Sequence, residues 1–341
     1  MRAILCQGEP IGGAPSREEL IEYWKEQLAS VPEIESVDFV GNFTEKDADK
    51  IAGDYDLLLG AWISDGIFTR EFFDRHPNLK YVTTFGHGFG KIDEQAAYER
   101  GITFTNTVYG DMTIAQFGMA LLLDICHDVR LQSEHYKKVL ENHHSVREAD
   151  GSVVSRQVEL YEKTIGIVGL GSIGLWMARM AAGFGMKVIA YSRHKKIGHE
   201  YDFIEQVSLD ELYARSDVIS IHCPLTDDTR GMINKSSFNK MKDGVIIINT
   251  ARGAIIEEAD FVDALNSGKV YAAGLDVVCG EPLHEKTPIF DCPNAVITPH
   301  IAWAPEEARY RTVRIAVENL KNWLAGKPTS VIYRNVCKKS A

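Results

Sequence analysis

The chain has 341 residues, with 48 acidic against 37 basic side chains, a formal net charge of −11, and 45% hydrophobic and 25% charged residues. That composition is too apolar for a disordered chain and too acidic for a general ligand of nucleic acid or an anionic membrane surface, both of which attract basic patches. The length exceeds what one hydrophobic core commonly serves, so two domains are expected.

Residues 1–7 hold only a short apolar run, not the longer apolar core of a signal peptide. In the first third, strand candidates fall at Arg2–Cys6, 37–40, 56–59, 80–84 and 102–105, each apolar and mostly bounded by Gly, Asp or Asn. Residues 16–29 read as a helix, opened by the capping-box pair Ser16 and Glu19. Strand–helix–strand alternation predicts a parallel α/β layer. Residues 113–129, TIAQFGMALLLDICHDV, are apolar on most faces, which predicts a helix buried nearly all round. Residues 132–160 are polar and weakly periodic and read as a surface excursion; adjacent His143 and His144 point different ways on any regular element and make no metal site. From Thr164 the strand candidates become continuous apolar runs, Thr164–Val168, Lys187–Tyr191, 218–222, Val245–Asn249, 272–275 and 295–298, as in strands covered on both faces. A closing helix over 305–325 carries the stripe Ala308, Val313, Val317, Leu320 and Leu324, stopped by Gly326 and Pro328.

Six cysteines, at 6, 126, 223, 279, 292 and 337, form no Cys-x-x-Cys pair and no zinc spacing with histidine. They read as reduced, mostly buried thiols, and no metal is expected. No stretch was expected to approach the ~18 apolar residues of a membrane span. The cytoplasm is the expected compartment.

Gly169-Leu170-Gly171-Ser172-Ile173-Gly174 follows a strand directly, opens a helix, and is followed by a second strand ending at Tyr191. In that context G-x-G-x-x-G predicts a dinucleotide site. Gly169 serves the tight turn, Gly171 the approach of a pyrophosphate, and Gly174 the packing of helix on strand. The run Gly86-His87-Gly88-Phe89-Gly90-Lys91 lacks the Ser or Thr of a P-loop and reads as a tight loop. At the end of the second strand stands Tyr191-Ser192-Arg193-His194-Lys195-Lys196, where an NAD site usually carries an acid. A base there grips a 2′-phosphate, so NADP(H) is favoured, with NAD(H) left open. Polar residues just past other apolar runs are Arg252, then Asp276 and Glu281, then His300. Ligands of open α/β sheets bind at such strand ends. Hydride transfer to a ketone needs a proton donor, suited to His; a carboxylate orients the imidazole, and Arg grips a substrate carboxylate bidentately.

GLGSIG, HCPLTDDTRGMI, INTARGAIIEEADFVDAL, AAGLDVVCGEPL and ITPHIAWAPEEA together resemble the D-isomer-specific 2-hydroxyacid dehydrogenase family over most of the chain, most closely its glycerate dehydrogenase/hydroxypyruvate reductase branch, where Gln116 is also common. The resemblance implies two doubly wound parallel-sheet domains, a flavodoxin-like substrate domain (1–106 and 303–341) interrupted by an inserted Rossmann cofactor domain (107–302), with the active site in the cleft and a homodimer. It implies Arg252 on the substrate carboxylate and carbonyl, His300 as acid/base paired with Glu281, and His87 and Gly88 on the substrate, with Trp303 walling the pocket. Cofactor contacts would come from Gly169, Gly171, Ser172, Ile173, Gly174, Ser192, Arg193, Cys223, Pro224, Thr229, Thr250, Ala251 and Asp276. The implied reaction interconverts a small 2-oxo acid, hydroxypyruvate or glyoxylate first, and its 2-hydroxy acid. Residues 139–160 lack the Arg-Trp pair common in that branch, and Tyr109 stands where Pro or Ala is usual. Two alternatives stay open: a bulkier 2-oxo acid, with Phe89, Tyr109 and Trp303 lining a larger pocket, or a dinucleotide-sensing corepressor-like binding module.

Overall fold

The computed structural model of the chain describes residues 1–10, 12–86, 88–142 and 153–332, so His87, His143, His144 and Cys337 lie outside the described residues. The chain divides into two compact units, Met1–Gly110 with Ala304–Ala341, and Asp111–Trp303.

In the first unit the elements run β1 (Arg2–Cys6), α1 (Arg17–Leu28), β2 (Ser36–Val40), α2 (Ala48–Ala52), β3 (Leu57–Leu59), α3 (Arg70–Arg75), β4 (Tyr81–Thr84), α4 (Glu94–Glu99) and β5 (Thr103–Asn106), with α11 (Glu306–Leu324) returning at the end. The five strands pair in parallel in the order β2-β1-β3-β4-β5. Strand period 2 splits the side chains between two layers. Ile4, Leu58, Val82 and Phe104 meet Phe68, Phe72, Phe73, Ala96 and Ala97 on one face. Ala3, Leu5, Leu57, Leu59 and Tyr81 meet Leu20 and Trp24 of α1 and Val313, Val317 and Leu320 of α11 on the other. The Ser16–Glu19 capping box that opens α1 is formed. Tyr109, named in the larger-pocket alternative, is buried.

The second unit starts with α5 (Asp111–His127) and α6 (Val129–Asn142). It continues with β6 (Thr164–Val168), α7 (Ser172–Gly183), β7 (Lys187–Tyr191), β8 (Glu205–Gln206), α8 (Leu209–Arg215), β9 (Val218–Ile221), α9 (Lys235–Lys240), β10 (Val245–Asn249), α10 (Glu258–Asn266), β11 (Val270–Leu275) and β12 (Ala295–Ile297). Its seven parallel strands lie in the order β12-β11-β10-β9-β6-β7-β8. Ile165, Ile167, Ile246 and Ile248 face α5 and α7, while Val245, Ile247, Ile219 and Ile221 face α8, α9 and α10. The strand order reverses between β6 and β9, the position at which such sheets bind ligands.

Three expectations change. Residues 129–142 are helical, not irregular; α6 is amphipathic, but its composition is strongly polar and none of 129–141 is buried. The two-residue edge strand β8 is too short for any periodicity. The run Asp111–Glu141 does reach the length and apolar content of a membrane span. Its composition has a packing cause: α5 lies against α7, β10 and β11, with Ala115, Leu122 and Cys126 fully buried. Among the described residues the cysteines are free, with Cys6, Cys126 and Cys292 buried.

His222, one residue past β9, sits with its Nε2 2.8 Å from the buried Ser220 hydroxyl. Burial holds the imidazole neutral and pushes its pKa down from 6.5 to about 4. A histidine depressed in the folded state favours folding fully above its unfolded pKa, and that contribution is lost as the unfolded chain takes up the proton on acidification. Stability therefore falls as pH drops from 6.5 towards about 4 through this group. His222→Gln should flatten that part of the profile, read as the urea midpoint at about pH 7 against about pH 5; an unchanged pH dependence would refute the assignment.

Candidate active site

Parallel pairing sets the carboxyl ends of the strands along one edge of the sheet, about 4.8 Å apart from strand to strand. Read along that edge, His300 follows β12, Asp276 and Glu281 follow β11, Arg252 follows β10, Cys223 follows β9, Gly169 follows β6, and Ser192 and Arg193 follow β7. Residues up to 131 positions apart in the chain, Gly169 and His300, thus share one edge.

The glycine loop has the geometry its motif requires. Gly169 adopts φ +100, and a Cβ there would stand 2.5 Å from the Cys223 amide nitrogen. A Cβ on Gly174 would overlap the Gly169 carbonyl oxygen, so α7 approaches its own strand only through glycine. Gly171 is the N-cap of α7, and a Cβ there meets nothing within 4 Å. Ser172 and Ile173 form the first turn of α7, whose free N–H groups and positive dipole end suit an anion. Just past β10, two strands away from β6, the Thr250 hydroxyl is buried without a hydrogen-bond partner among the described residues. The Thr229 hydroxyl donates to the Pro224 carbonyl (2.7 Å), closing the turn beyond Cys223. The Ser192 hydroxyl donates to the His194 carbonyl (2.7 Å), and Arg193 beside it is exposed and makes no ion pair among the described residues. An open glycine cradle, a helix start and an orphaned hydroxyl fit a dinucleotide.

At the other end of the edge, His300 Nδ1 lies 2.8 Å from Glu281 Oε2. The other Glu281 oxygen accepts the Val278 N–H (2.7 Å), which fixes the carboxylate. His300 has φ +55, a left-handed conformation uncommon outside glycine. Asp276, 1% exposed, holds that segment: Oδ1 accepts from the Thr298 hydroxyl (2.6 Å) and the Ile301 N–H (2.9 Å), and Oδ2 from the Ala302 N–H (2.8 Å). The Trp303 indole N–H donates back to the His300 carbonyl (2.7 Å). Arg252 is exposed, its Nη1 donating to the Ala251 carbonyl (2.7 Å). A carboxylate-held imidazole and an exposed guanidinium on one sheet edge can exchange a proton and bind an anion.

Sequence reasoning passed over three residues. Asn249, the last residue of β10, clamps the Arg252 turn with its side chain. Gly253 lets that turn press on the backbone of Val278 and Cys279, where any Cβ would overlap. In the first unit, the Asp65 carboxylate accepts the Lys91 N–H (2.6 Å) and the Gly90 N–H donates to the Ile63 carbonyl (2.6 Å), tying the Gly86–Lys91 loop to its neighbour. Asn249 and Gly253 each adjoin a recognised strand end, which was the signal available; Asp65 had none. His87 lies outside the described residues, so only Gly88 of that expected pair is seen.

The family profile described as "D-isomer specific 2-hydroxyacid dehydrogenase, NAD binding domain" matches residues 129–302. The chain is 44% identical over 265 residues to a hydroxypyruvate reductase of Blautia hydrogenotrophica, covering 77% of this chain and 81% of that one. It is 38% identical over 293 residues to a glyoxylate reductase of Aeropyrum pernix, covering 83% and 87%. Among solved structures it is similar to an acyclic imino acid reductase in complex with NADPH and D-Arg, with 28% identity, TM-score 0.75, and 97% and 100% of the two chains covered. The chain belongs to the D-isomer-specific 2-hydroxyacid dehydrogenase family, NAD(P)-dependent oxidoreductases that act on the CH–OH group of 2-hydroxy acids.

Proposed function

We propose that this protein reduces a small 2-oxo acid, hydroxypyruvate or glyoxylate first, to its D-2-hydroxy acid. The observation that carries this reading is the Glu281–His300 pair at 2.8 Å on the strand edge that also bears Arg252 and the glycine loop; the names of the two relatives point to the same acids. Arg252 binds the substrate carboxylate and polarises its carbonyl. His300 donates the proton to the developing alkoxide, and Glu281 holds the ring by Nδ1, leaving Nε2 for the substrate. A bound nicotinamide supplies the hydride. The chain's own work is orientation and proton transfer.

A panel of 2-oxo acids with reduced dinucleotide, followed by loss of its absorbance, tests this. Hydroxypyruvate or glyoxylate should turn over best. His300→Ala should lower kcat by about 10²–10⁴, and Arg252→Ala should mainly raise KM. Best turnover with branched or aromatic acids would replace the substrate class. Tight dinucleotide binding with no turnover of any acid would make the protein a binding module.

For the cofactor, NADPH is proposed over NADH. Support comes from Arg193 and Lys195, exposed just past β7, where no acid stands to hold a ribose 2′-hydroxyl. Arg193→Ala should raise KM for NADPH about tenfold, the value of one charge-assisted phosphate contact, and leave NADH unaffected. Equal use of both dinucleotides by the unmodified enzyme would sink the preference.

A homodimer is also proposed. Support comes from Met112 of α5, Val129 and Leu131 of α6, and Val153, Val154 and Tyr161, apolar side chains exposed on the second unit that association would cover. A monomer in sedimentation velocity at micromolar concentration would exclude this, and Leu131→Glu should weaken a dimer that is present.

A further inference from the structure

We infer that Asn249 is a positioning residue for Arg252, an inference that rests on the reading of Arg252 as the group that grips the substrate carboxylate. Asn249 is 1% exposed and ends β10, three residues before that arginine. Its amide uses both ends on the same turn: Oδ1 accepts the Ala251 N–H (3.0 Å), and Nδ2 donates to the Arg252 carbonyl (3.0 Å). The two bonds hold the residue before Arg252 by its N–H and Arg252 by its own carbonyl. The Arg252 side chain in turn donates Nη1 to the Ala251 carbonyl, so the guanidinium is referred to a residue whose N–H is itself held by Asn249. On the far side of the turn, Gly253 abuts Val278 and Cys279, so the turn is pinned between the Asn249 side chain and the backbone that leads to Glu281.

The Asn249 backbone carries the link further. Its carbonyl accepts the Asp276 N–H (3.0 Å), and the Asp276 side chain braces the segment that bears His300. One residue thus references the anion-binding and proton-transferring groups to a common strand end. Only an amide does this: the turn offers one donor, Ala251 N–H, and one acceptor, the Arg252 carbonyl, and Asn carries one of each at the right spacing. A carboxylate would satisfy the first and repel the second. A hydroxyl reaches one of them at a time.

The test compares Asn249→Asp and Asn249→Ser with Arg252→Ala in the full chain. Steady-state kinetics with glyoxylate and hydroxypyruvate are read beside dinucleotide binding by fluorescence titration. Asn249→Asp should raise KM for the 2-oxo acid about tenfold, the loss of the one hydrogen bond that fixes the Arg252 carbonyl, while dinucleotide Kd changes less than twofold. Asn249→Ser should fall between it and the unmodified protein. A general loss of packing would instead weaken both ligands together, and that result overturns the inference. So does an unchanged KM in Asn249→Asp when Arg252→Ala has raised it. If Arg252→Ala itself leaves KM unchanged, the reading of Arg252 fails. Should the Asn249 variants not fold, amide hydrogen exchange of the unmodified protein decides: Ala251 N–H must be protected, because its acceptor is the Asn249 side chain, and rapid exchange there rejects the clamp.

Discussion

Much of the strand edge depends on one buried carboxyl group, that of Asp276. Buried polar groups are costly unless hydrogen-bonded, and this one receives a hydroxyl and two backbone N–H groups, all from residues 298–302. That segment makes no ladder of its own beyond β12, and at its centre His300 holds a positive φ that costs on the order of 1–3 kcal/mol. Three bonds to a single fixed acceptor over-determine the segment, so the strained conformation persists and the imidazole meets Glu281. A residue marked from sequence for cofactor contact therefore braces the segment that brings His300 to Glu281.

The parallel sheet supplies the rest of the constraint. All seven strands of the second unit point the same way, so every strand-to-helix turn emerges on one edge. Glycine is needed there where backbones approach: Gly174 under Gly169, Gly169 beside Cys223, and Gly253 against Val278. Polar side chains then tie the turns, Asn249 across 250–252 and Thr229 across 224–229. The formal charge of −11 is locally inverted along this edge, where Arg252, Arg193 and Lys195 are exposed among turns whose free N–H groups attract anions.

Most of the fold was legible because its strands are continuous apolar runs, and such runs survive without tertiary context. The capping box at Ser16 and the stop at Gly326 were legible for the same local reason. Helix α6 was not, because its composition is strongly polar and none of its described residues 129–141 is buried. The apolar length of 111–141 was underestimated, since the polar residues of α6 dilute it to the eye. At the candidate site, residue types at strand ends pointed to Arg252, Glu281 and His300. The clamps that hold them did not stand out, because a buried Asn or Asp satisfied by backbone looks, in sequence, like any turn residue.

The sequence by itself determined which segments become strands, where the dinucleotide loop falls, and which chemistry the strand-end residues suit. These follow from local pattern: hydrophobic period, glycine spacing and side-chain type. Only the tertiary structure decided that Glu281 meets His300 at 2.8 Å, that Asp276 braces the loop bearing His300, and that Asn249 brackets Arg252. Those contacts join residues up to 26 positions apart, and what brings the distant ones together is the lateral order of parallel strands. That order is set by packing both faces of the sheet at once, which no local stretch of sequence encodes.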